Sequence, residues 1–203
     1  NEVDIFVFYD IVQYTKNDWR NRNRIKPSTG YTWMTIPVST KSNSMIDEVK
    51  LPGGKWRKNH LSTIRYSYSK APHMSDALTI LEKRLNNPEI IMLSELNISL
   101  IRDFSNYLGI ECTFINSSQL SPQGDRVERI IDICNKVGAS EYLSGDSAQS
   151  YIGDEFESSG IKLKWMKYGP FPEYNQLGDG FDDFVSIIDL VAHTGQDAPT
   201  YIW

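Results

Sequence analysis

The second half of the chain shows the clearest alternation of helical and strand patterns. Apolar residues recur at helical spacing over residues 96–108 and again over 127–137, and each pattern stops at a glycine, as helix C-termini often do. Ser121 and Pro122 supply a cap and a first-turn proline for the second of these helices. Short apolar segments typical of strands lie at 110–115, 141–143 and 161–165. Strands that alternate with helices predict parallel crossover connections.

The first half of the chain predicts fewer regular elements. Strands are predicted at residues 3–9 and 33–38, and a helix that begins at Ser75. The polar, Asn- and Arg-rich stretch 16–30 predicts an ordered loop. A further amphipathic helix is predicted over residues 181–191 near the end of the chain. Together these patterns predict a single α/β domain over residues 1–203, with a mostly parallel, Rossmann-like sheet.

The composition is that of an ordinary globular protein. Of the 203 residues, 40% are apolar and 23% are charged, which excludes a disordered, collagen-like or coiled-coil chain. The formal net charge of −5 disfavours phosphate backbones, so no nucleic-acid partner is expected. No apolar run approaches the roughly 20 residues of a membrane span. The only cysteines, Cys112 and Cys134, favour a reducing cytoplasm over a disulfide-stabilised, secreted protein.

Familiar catalytic and cofactor motifs are absent from the sequence. It contains no P-loop, no GxGxxG after a strand, no HExxH, no CxxC and no GxSxG. Its three histidines, at positions 60, 73 and 193, are widely separated. We therefore predict no metal site, and the sequence identifies no cofactor.

Polar residues follow the first predicted strand, at a position where ligands bind in open α/β sheets. Asp10 and Gln13 lie just beyond the strand, and Arg22, Asn23 and Arg24 follow closely. Arginines beside neutral amides can bind a diphosphate or a carboxylate. The same pattern also fits a solvated basic loop that nearby acidic residues neutralise, and the charge pattern leaves both interpretations open.

His60 is the candidate general base. It lies between a basic, aromatic stretch and an apolar one, a setting that could hold a neutral imidazole able to accept a proton near pH 7. A structural histidine, hydrogen-bonded on a strand or helix face, fits the same pattern. His73, in a predicted turn, and His193, near a helix end, are interpreted as structural.

Two later segments add candidate ligand-binding residues. Ser144 and Gly145 follow a predicted strand, and backbone amides after such a glycine can bind an anion. Tyr174 and Gln176 lie in a loop bounded by Pro and Gly, where an aromatic ring and an amide suit a sugar or a base. Loops also carry such residues without any function, so a structural role stays open for both.

Several of these segments resemble one known family when they are taken in order. They include residues 4–10, 21–26, 33–38, 68–72, 142–145, 174–176 and 186–190. Their order is similar to that of the WbqC-like family, bacterial proteins encoded among O-antigen and other surface-polysaccharide genes. Family members usually begin with a His-Gln-Pro-x-Tyr-x-Pro-Trp segment, so we expect such a segment before Asn1 in the natural protein. The family pattern more often has asparagine where His193 stands here.

The resemblance implies a transferase that places an acyl or aminoacyl group, such as glycyl, on a nucleotide-linked amino sugar. In this interpretation Arg22 and Arg24 bind the diphosphate and His60 deprotonates the amine. Asp10, Gln13, Tyr174 and Gln176 would then fix the sugar. An acyl carrier protein could supply the donor. Two alternatives stay open: a HUP-like enzyme that activates a carboxylate with ATP, using Ser144 and Gly145 near the phosphates, and a non-catalytic sugar-nucleotide-binding protein.

Overall fold

The protein has an α/β fold in a computed structural model that describes residues 1–203, apart from the side chains of Asp154 and Glu157. The strands are β1 (Ile5–Phe8), β2 (Arg22–Ile25), β3 (Thr32–Thr35), β4 (Thr113–Asn116), β5 (Glu141–Ser144) and β6 (Lys162–Trp165). The helices are α1 (Trp56–Ser67), α2 (Met74–Leu85), α3 (Leu93–Tyr107), α4 (Ser117–Leu120), α5 (Arg126–Lys136), α6 (Asp154–Ser159) and α7 (Ile187–Thr194). Short 3₁₀ helices lie at Ile46–Glu48, Asp146–Ser150 and Gly195–Tyr201.

The strands form three two-stranded sheets, and two of these sheets are parallel. The prediction of α/β structure with mostly parallel pairing is therefore confirmed. The Rossmann-like character is present only in part, because the described residues do not join the two parallel pairs by hydrogen bonds into one sheet. The chain divides into two compact units, which we call unit 1 (Asn1–Ile11 with Glu111–Pro170) and unit 2 (Val12–Ile110 with Phe171–Trp203). The assignment of residues 1–203 to a single domain stays a prediction.

Unit 1 contains both parallel sheets. β1 pairs with β4, from Ile5 opposite Thr113 to Phe8 opposite Asn116, and β5 pairs with β6. Helix α5 connects β4 to β5, and its apolar side packs with the buried side chain of Phe156. Helix α6 lies between the paired parallel strands β5 and β6, so this unit contains a βαβ connection of the kind that the alternating pattern predicts.

The start of α5 differs from the prediction. Its N-cap is Asp125, which forms a capping box with Glu128, whereas Ser121 lies in the left-handed region and ends the short helix α4. The assignment of Ser121 as the cap was wrong. The capping box satisfies two backbone N–H groups at once, which a lone serine followed by proline cannot do.

Unit 2 packs four helices against one antiparallel ribbon. α1, α2, α3 and α7 enclose a core that includes Tyr68, Leu93 and Val191, all fully buried. Strands β2 and β3 pair with Arg22 opposite Thr35 and Arg24 opposite Trp33. Because side chains alternate between the two faces of a strand, Ile25 enters the core while the arginines lie on the other face.

Three sequence predictions for unit 2 need correction. The stretch 16–30, predicted as a loop, contains strand β2. Helix α1 was not predicted at all. The last long helix begins only at Ile187, because the Ser186 hydroxyl accepts a hydrogen bond from the Ile188 N–H and caps it there, so Phe181 and Phe184 precede the helix.

Candidate functional site

The outward face of the β2–β3 ribbon carries the two candidate arginines. The Arg22 guanidinium lies 4.4 Å from the centre of the Trp33 ring, and the Arg24 guanidinium lies 5.0 Å from that of Tyr31. The alternation of the two strands places Arg22, Arg24 and Trp33 on one face. Each guanidinium thus lies over an aromatic ring, and a guanidinium in this position can still donate from N–H groups at its edge.

Large exposed aromatic side chains extend this face. Trp19 is 63% exposed and lies 5.6 Å from Trp33, ring centre to ring centre, and Phe184 is 68% exposed and lies 6.0 Å from the Arg24 guanidinium. We call this set the arginine–aromatic surface: Trp19, Arg22, Arg24, Tyr31, Trp33 and Phe184. An exposed aromatic cluster of this kind is typical of a binding surface, because rings that stay in contact with water do not stabilise the fold.

The two arginines differ in how far they are already engaged. Arg24 donates from Nε to the Phe184 carbonyl at 2.7 Å and pairs with Asp182 at 3.3 Å. Among the described residues, the Arg22 side chain has no ion pair or hydrogen bond, and its guanidinium lies over the Trp33 ring. Asn23 accepts a hydrogen bond from the Arg24 N–H through its side-chain oxygen, which braces the strand between them. Arg22 is therefore the more available cation for an anionic ligand.

A buried carboxylate, Asp189, organises the centre of unit 2. Its side chain is fully buried and accepts hydrogen bonds from Tyr68 Oη at 2.9 Å, Tyr174 Oη at 2.8 Å and Gln176 Nε2 at 3.0 Å. A buried carboxylate is stable only when donors compensate for its lost hydration, and these three supply them. Burial, followed by the negative charge of Asp189, raises the pKa of both tyrosines, so both stay protonated donors.

Gln176 also fixes the loop that precedes α7. It donates to the Asp182 carbonyl at 2.8 Å and accepts from the Asp182 N–H at 2.9 Å. The polar groups of Tyr174 and Gln176 are thus occupied within unit 2 in this structure. Their assignment as sugar ligands stays a prediction, and the structure gives them a second role in positioning the loop that carries Phe184.

Lys26 fastens the same loop to β2. It is buried, and its Nζ donates to the carbonyl oxygens of Leu177 and Gly180, each at 2.8 Å. The Ser186 N–H also donates to the carbonyl of Arg24 at 2.8 Å. These contacts bring a segment more than 150 residues away in sequence onto the edge of the arginine–aromatic surface.

His193 belongs to the Asp189 network, although its sequence pattern gave it only a structural role. Its Nδ1 lies 2.8 Å from the Asp189 carbonyl oxygen and 3.4 Å from a carboxylate oxygen, and its Nε2 is buried with no hydrogen-bond partner among the described residues. The signal for this network was an acidic residue and a histidine four positions apart within an otherwise apolar helix.

His60 lies on α1 beside the β2–β3 ribbon. Its Nδ1 is 2.9 Å from the carbonyl oxygen of Trp56, and Nε2 is buried and makes no hydrogen bond of normal geometry. Burial lowers the pKa of the imidazole, while interactions with the backbone of Trp56 and Thr35 oppose this change. Thr35 is the strand partner of Arg22, so His60 lies near the backbone at this position of β3, whereas the Arg22 side chain lies on the outward face of the ribbon.

Gln13 lies elsewhere in unit 2. Its amide donates to the Asn43 side chain at 3.2 Å, and its backbone forms an isolated bridge with Met45. These contacts hold the chain just after the first strand. They do not test the predicted role of Gln13 as a sugar ligand.

The remaining candidates lie in unit 1. Asp10 follows β1 and lies 3.3 Å from the hydroxyl of Ser117, and the Ser144 side chain is buried at the end of β5 with Gly145 directly after it. The Ser144 hydroxyl interacts with the Tyr142 hydroxyl, which lowers the pKa of that tyrosine against the larger, raising effect of burial. All three candidates therefore stand at the carboxyl ends of parallel strands, where ligands bind in α/β sheets.

No cluster suited to a metal ion occurs in the described part of the chain, where three or more His, Cys, Asp or Glu side chains nowhere converge. Nor is any helix among the described residues both long and apolar enough to cross a bilayer.

The structure is that of an α/β protein with two arginines beside exposed aromatic rings on one surface of unit 2. The chain belongs to the WbqC-like protein family, whose model matches residues 1–201. It is 38% identical over 203 residues to the uncharacterized protein Rv1507c of Mycobacterium tuberculosis, covering 98% of this chain and 88% of that protein. No solved structure matches the chain significantly.

Proposed function

We propose that this protein is a transferase that places an acyl or aminoacyl group, such as glycyl, on the amino group of a nucleotide-linked sugar in bacterial surface-polysaccharide biosynthesis. The observation that carries the proposal is the arginine–aromatic surface of unit 2. A sugar nucleotide combines a planar base, a diphosphate and a sugar, and this surface offers exposed rings for stacking beside cationic donors for phosphate oxygens.

The roles within the surface follow from the contacts. Arg22 has donors to spare and would bind the diphosphate, while Arg24, already bound to Phe184 and Asp182, would contribute charge and fix the rim. Trp19 and Trp33 would stack on the base or the sugar. The nucleotide would thus be held mainly by flat, preformed contacts, which lose little side-chain entropy on binding.

His60 would act as the general base in the transfer. The amine nitrogen of the sugar attacks the carbonyl carbon of an activated donor such as a thioester, the carbon–sulfur bond breaks, and the amine proton passes to His60 Nε2 and then to the leaving thiolate. A lowered pKa keeps the imidazole neutral near pH 7, the form that accepts a proton. Its Nε2 is buried in this structure, so the acceptor amine must reach it next to Thr35.

Binding measurements on arginine variants test the surface. Arg22→Gln should weaken binding of a uridine-diphosphate amino sugar by about tenfold to a hundredfold, because it removes a charged partner of the diphosphate. Arg65→Gln is the matched control, since Arg65 is an exposed arginine of unit 2 that pairs with Glu82 on another face. Equal affinities in the Arg22 and Arg65 variants, measured by calorimetry, would remove the surface as the binding site.

Turnover of His60→Gln tests the base. We expect at least a hundredfold loss of acyl transfer with an unchanged circular dichroism spectrum. Because the folded pKa is below the ordinary value of about 6.5, the wild-type rate should persist as the pH falls through that value and decline only at lower pH. A variant rate near that of the wild type, or a wild-type rate already lost above that pH, would exclude His60 as the base.

ATP-dependent carboxylate activation is a second candidate function. One observation in unit 1 favours it. Asp10 and the Ser144–Gly145 pair follow strands β1 and β5 at their carboxyl ends. Release of pyrophosphate from ATP that depends on an added amino acid would support this candidate over the first.

A further inference from the structure

Unit 1 contains a cavity of about 530 Å³ that is bordered by two strands which do not pair with each other. Its lining includes Ile5 and Val7 of β1, and Glu141 and Leu143 of β5. Within the described residues, β1 is hydrogen-bonded only to β4 and β5 only to β6. One edge of each strand therefore remains open along the cavity.

The register shows which backbone groups form these open edges. In the first sheet the Thr113 N–H donates to the Asp4 carbonyl at 2.8 Å, so the backbone groups of Phe6 point to β4 and those of Ile5 and Val7 point away from it. In the second sheet the equivalent contact joins Lys162 N–H to the Ser140 carbonyl at 2.9 Å.

By the same alternation, Tyr142 pairs with β6, and the backbone groups of Glu141 and Leu143 point away from β6. Two strands thus present N–H donors and carbonyl acceptors along one cavity. The complementary ligand is an extended chain that carries amide groups, because each amide can donate and accept along a strand edge.

Helix α5 restricts the thickness of that chain. Ile133, Cys134 and Val137 lie along one side of the helix and line the cavity, so they close one face of the gap between the strands. A peptide strand carries side chains on both faces, whereas a pantetheine arm has two amides on a thin chain with no large side groups. The apolar wall suits its methylene groups, and burial of Cys134 raises the pKa of its thiol, which keeps that wall uncharged.

Charge at the two ends of the cavity fits a neutral arm with an anionic terminus. Glu2 and Asp4 line one end and disfavour a phosphate there. At the carboxyl end of β1, Tyr9 lines the cavity and interacts with Arg129, which provides a cation near that end. A phosphate attached to the arm would be favoured at this second end.

We propose that the cavity between β1 and β5 binds the pantetheine arm of an acyl thioester donor, through strand-like hydrogen bonds to the open edges of both strands. This proposal rests on the proposed acyl transfer and adds the class of its donor. The arm could come from coenzyme A or from a carrier protein, which share this chemistry.

A matched pair of proline variants tests the site in the full chain. Leu143→Pro removes an N–H from the cavity edge, whereas Leu163→Pro removes one from the outer edge of β6, and neither N–H belongs to the β5–β6 ladder. Calorimetry with neutral pantetheine should show binding that Leu143→Pro weakens by about tenfold and Leu163→Pro by less than twofold. No pantetheine binding, or equal weakening by both variants, would overturn the proposal.

Amide exchange in the wild-type protein gives a readout that does not depend on variant folding. Pantetheine should slow exchange of the Val7 and Leu143 amides, while those of Phe6 and Tyr142, already in the ladders, stay unchanged. Slower exchange of all four amides or of none would contradict strand-like binding. A short apolar tetrapeptide that binds more tightly than pantetheine would replace the arm with a peptide strand.

Further ligands identify the source of the arm and separate the two proposals. Binding of coenzyme A indicates a free donor, and binding of holo but not apo acyl carrier protein indicates a carrier-borne one; either supports the site. Leu143→Pro should leave sugar-nucleotide affinity unchanged, and Arg22→Gln should leave pantetheine affinity unchanged. Pantetheine binding without acyl transfer to any sugar nucleotide would reject the proposed function and retain this site.

Discussion

The two compact units differ in how far their polar groups are hydrogen-bonded within the protein. Unit 2 surrounds the buried carboxylate of Asp189 with donors from Tyr68, Tyr174 and Gln176, so this carboxylate is hydrogen-bonded without a ligand. In the described part of unit 1, no strand pairs with the sides of Ile5, Val7, Glu141 and Leu143 that point away from β4 and β6, and these residues line a cavity. The difference indicates that unit 2 is preorganised, whereas unit 1 gains hydrogen bonds only when something enters.

The largest expected effect tests the centre of unit 2. Asp189→Asn should lower the free energy of unfolding by about 3 kcal/mol, because an amide group would then face hydroxyl and amide donors inside the core. Urea unfolding followed by circular dichroism measures this loss. Asp197→Asn, at an exposed position of the same unit, should change it by no more than about 0.5 kcal/mol. Similar values for the two variants would mean that the network adds little.

Glycines in the two units give a second, smaller contrast. Gly195 in unit 2 has a φ of +57°, and a Cβ there would lie 2.6 Å from the His73 ring, so Gly195→Ala should cost about 2–3 kcal/mol. Gly138 in unit 1 has a φ of +68° with no atom near the added Cβ, so Gly138→Ala should cost about 1 kcal/mol. Thermal unfolding measures the loss of stability in both variants. A larger loss for Gly138→Ala than for Gly195→Ala would show that unit 2 is not the more tightly packed unit.

The cap of α5 gives the smallest expected effect. Asp125→Ala should destabilise unit 1 by about 1 kcal/mol, because it opens the capping box with Glu128. Ser121→Ala should have almost no effect, since Ser121 caps no part of α5. Urea unfolding of both variants distinguishes the two positions. A larger loss of unfolding free energy for Ser121→Ala would support the helix start that the sequence pattern predicted.

The sequence predicted those elements whose apolar spacing reflects burial on one side. α3 lies close to its predicted position because it has a clear helical apolar period, and β5 lies close to its own because its short apolar pair stands between two glycines. β2 was missed because its face toward solvent is arginine and only Ile25 is fully buried, so no apolar alternation appears. α1 was missed because polar residues separate its widely spaced buried positions, such as Trp56 and Leu61.

The site was predictable where residues are neighbours in sequence. Arg22 and Arg24 were grouped because they are close together in a stretch predicted as a loop, and the structure places both on one face of β2. The Asp189 network was not predicted, because its donors come from three separate segments and a single acid in an apolar helix does not indicate its partners. The open edges of β1 and β5 were equally hidden, since a sequence pattern does not show which strands fail to pair.

The fastening of β2 to the last loop has a consequence for synthesis on the ribosome. The Lys26 ammonium and the Arg24 carbonyl find their partners only in residues 177–186, and β1 finds β4 only after residue 113. During translation neither unit can therefore close in the order in which its residues emerge. The nascent chain must keep the Lys26 ammonium and the Arg24 carbonyl without these partners until synthesis is nearly finished, a period in which a chaperone could bind this edge of β2.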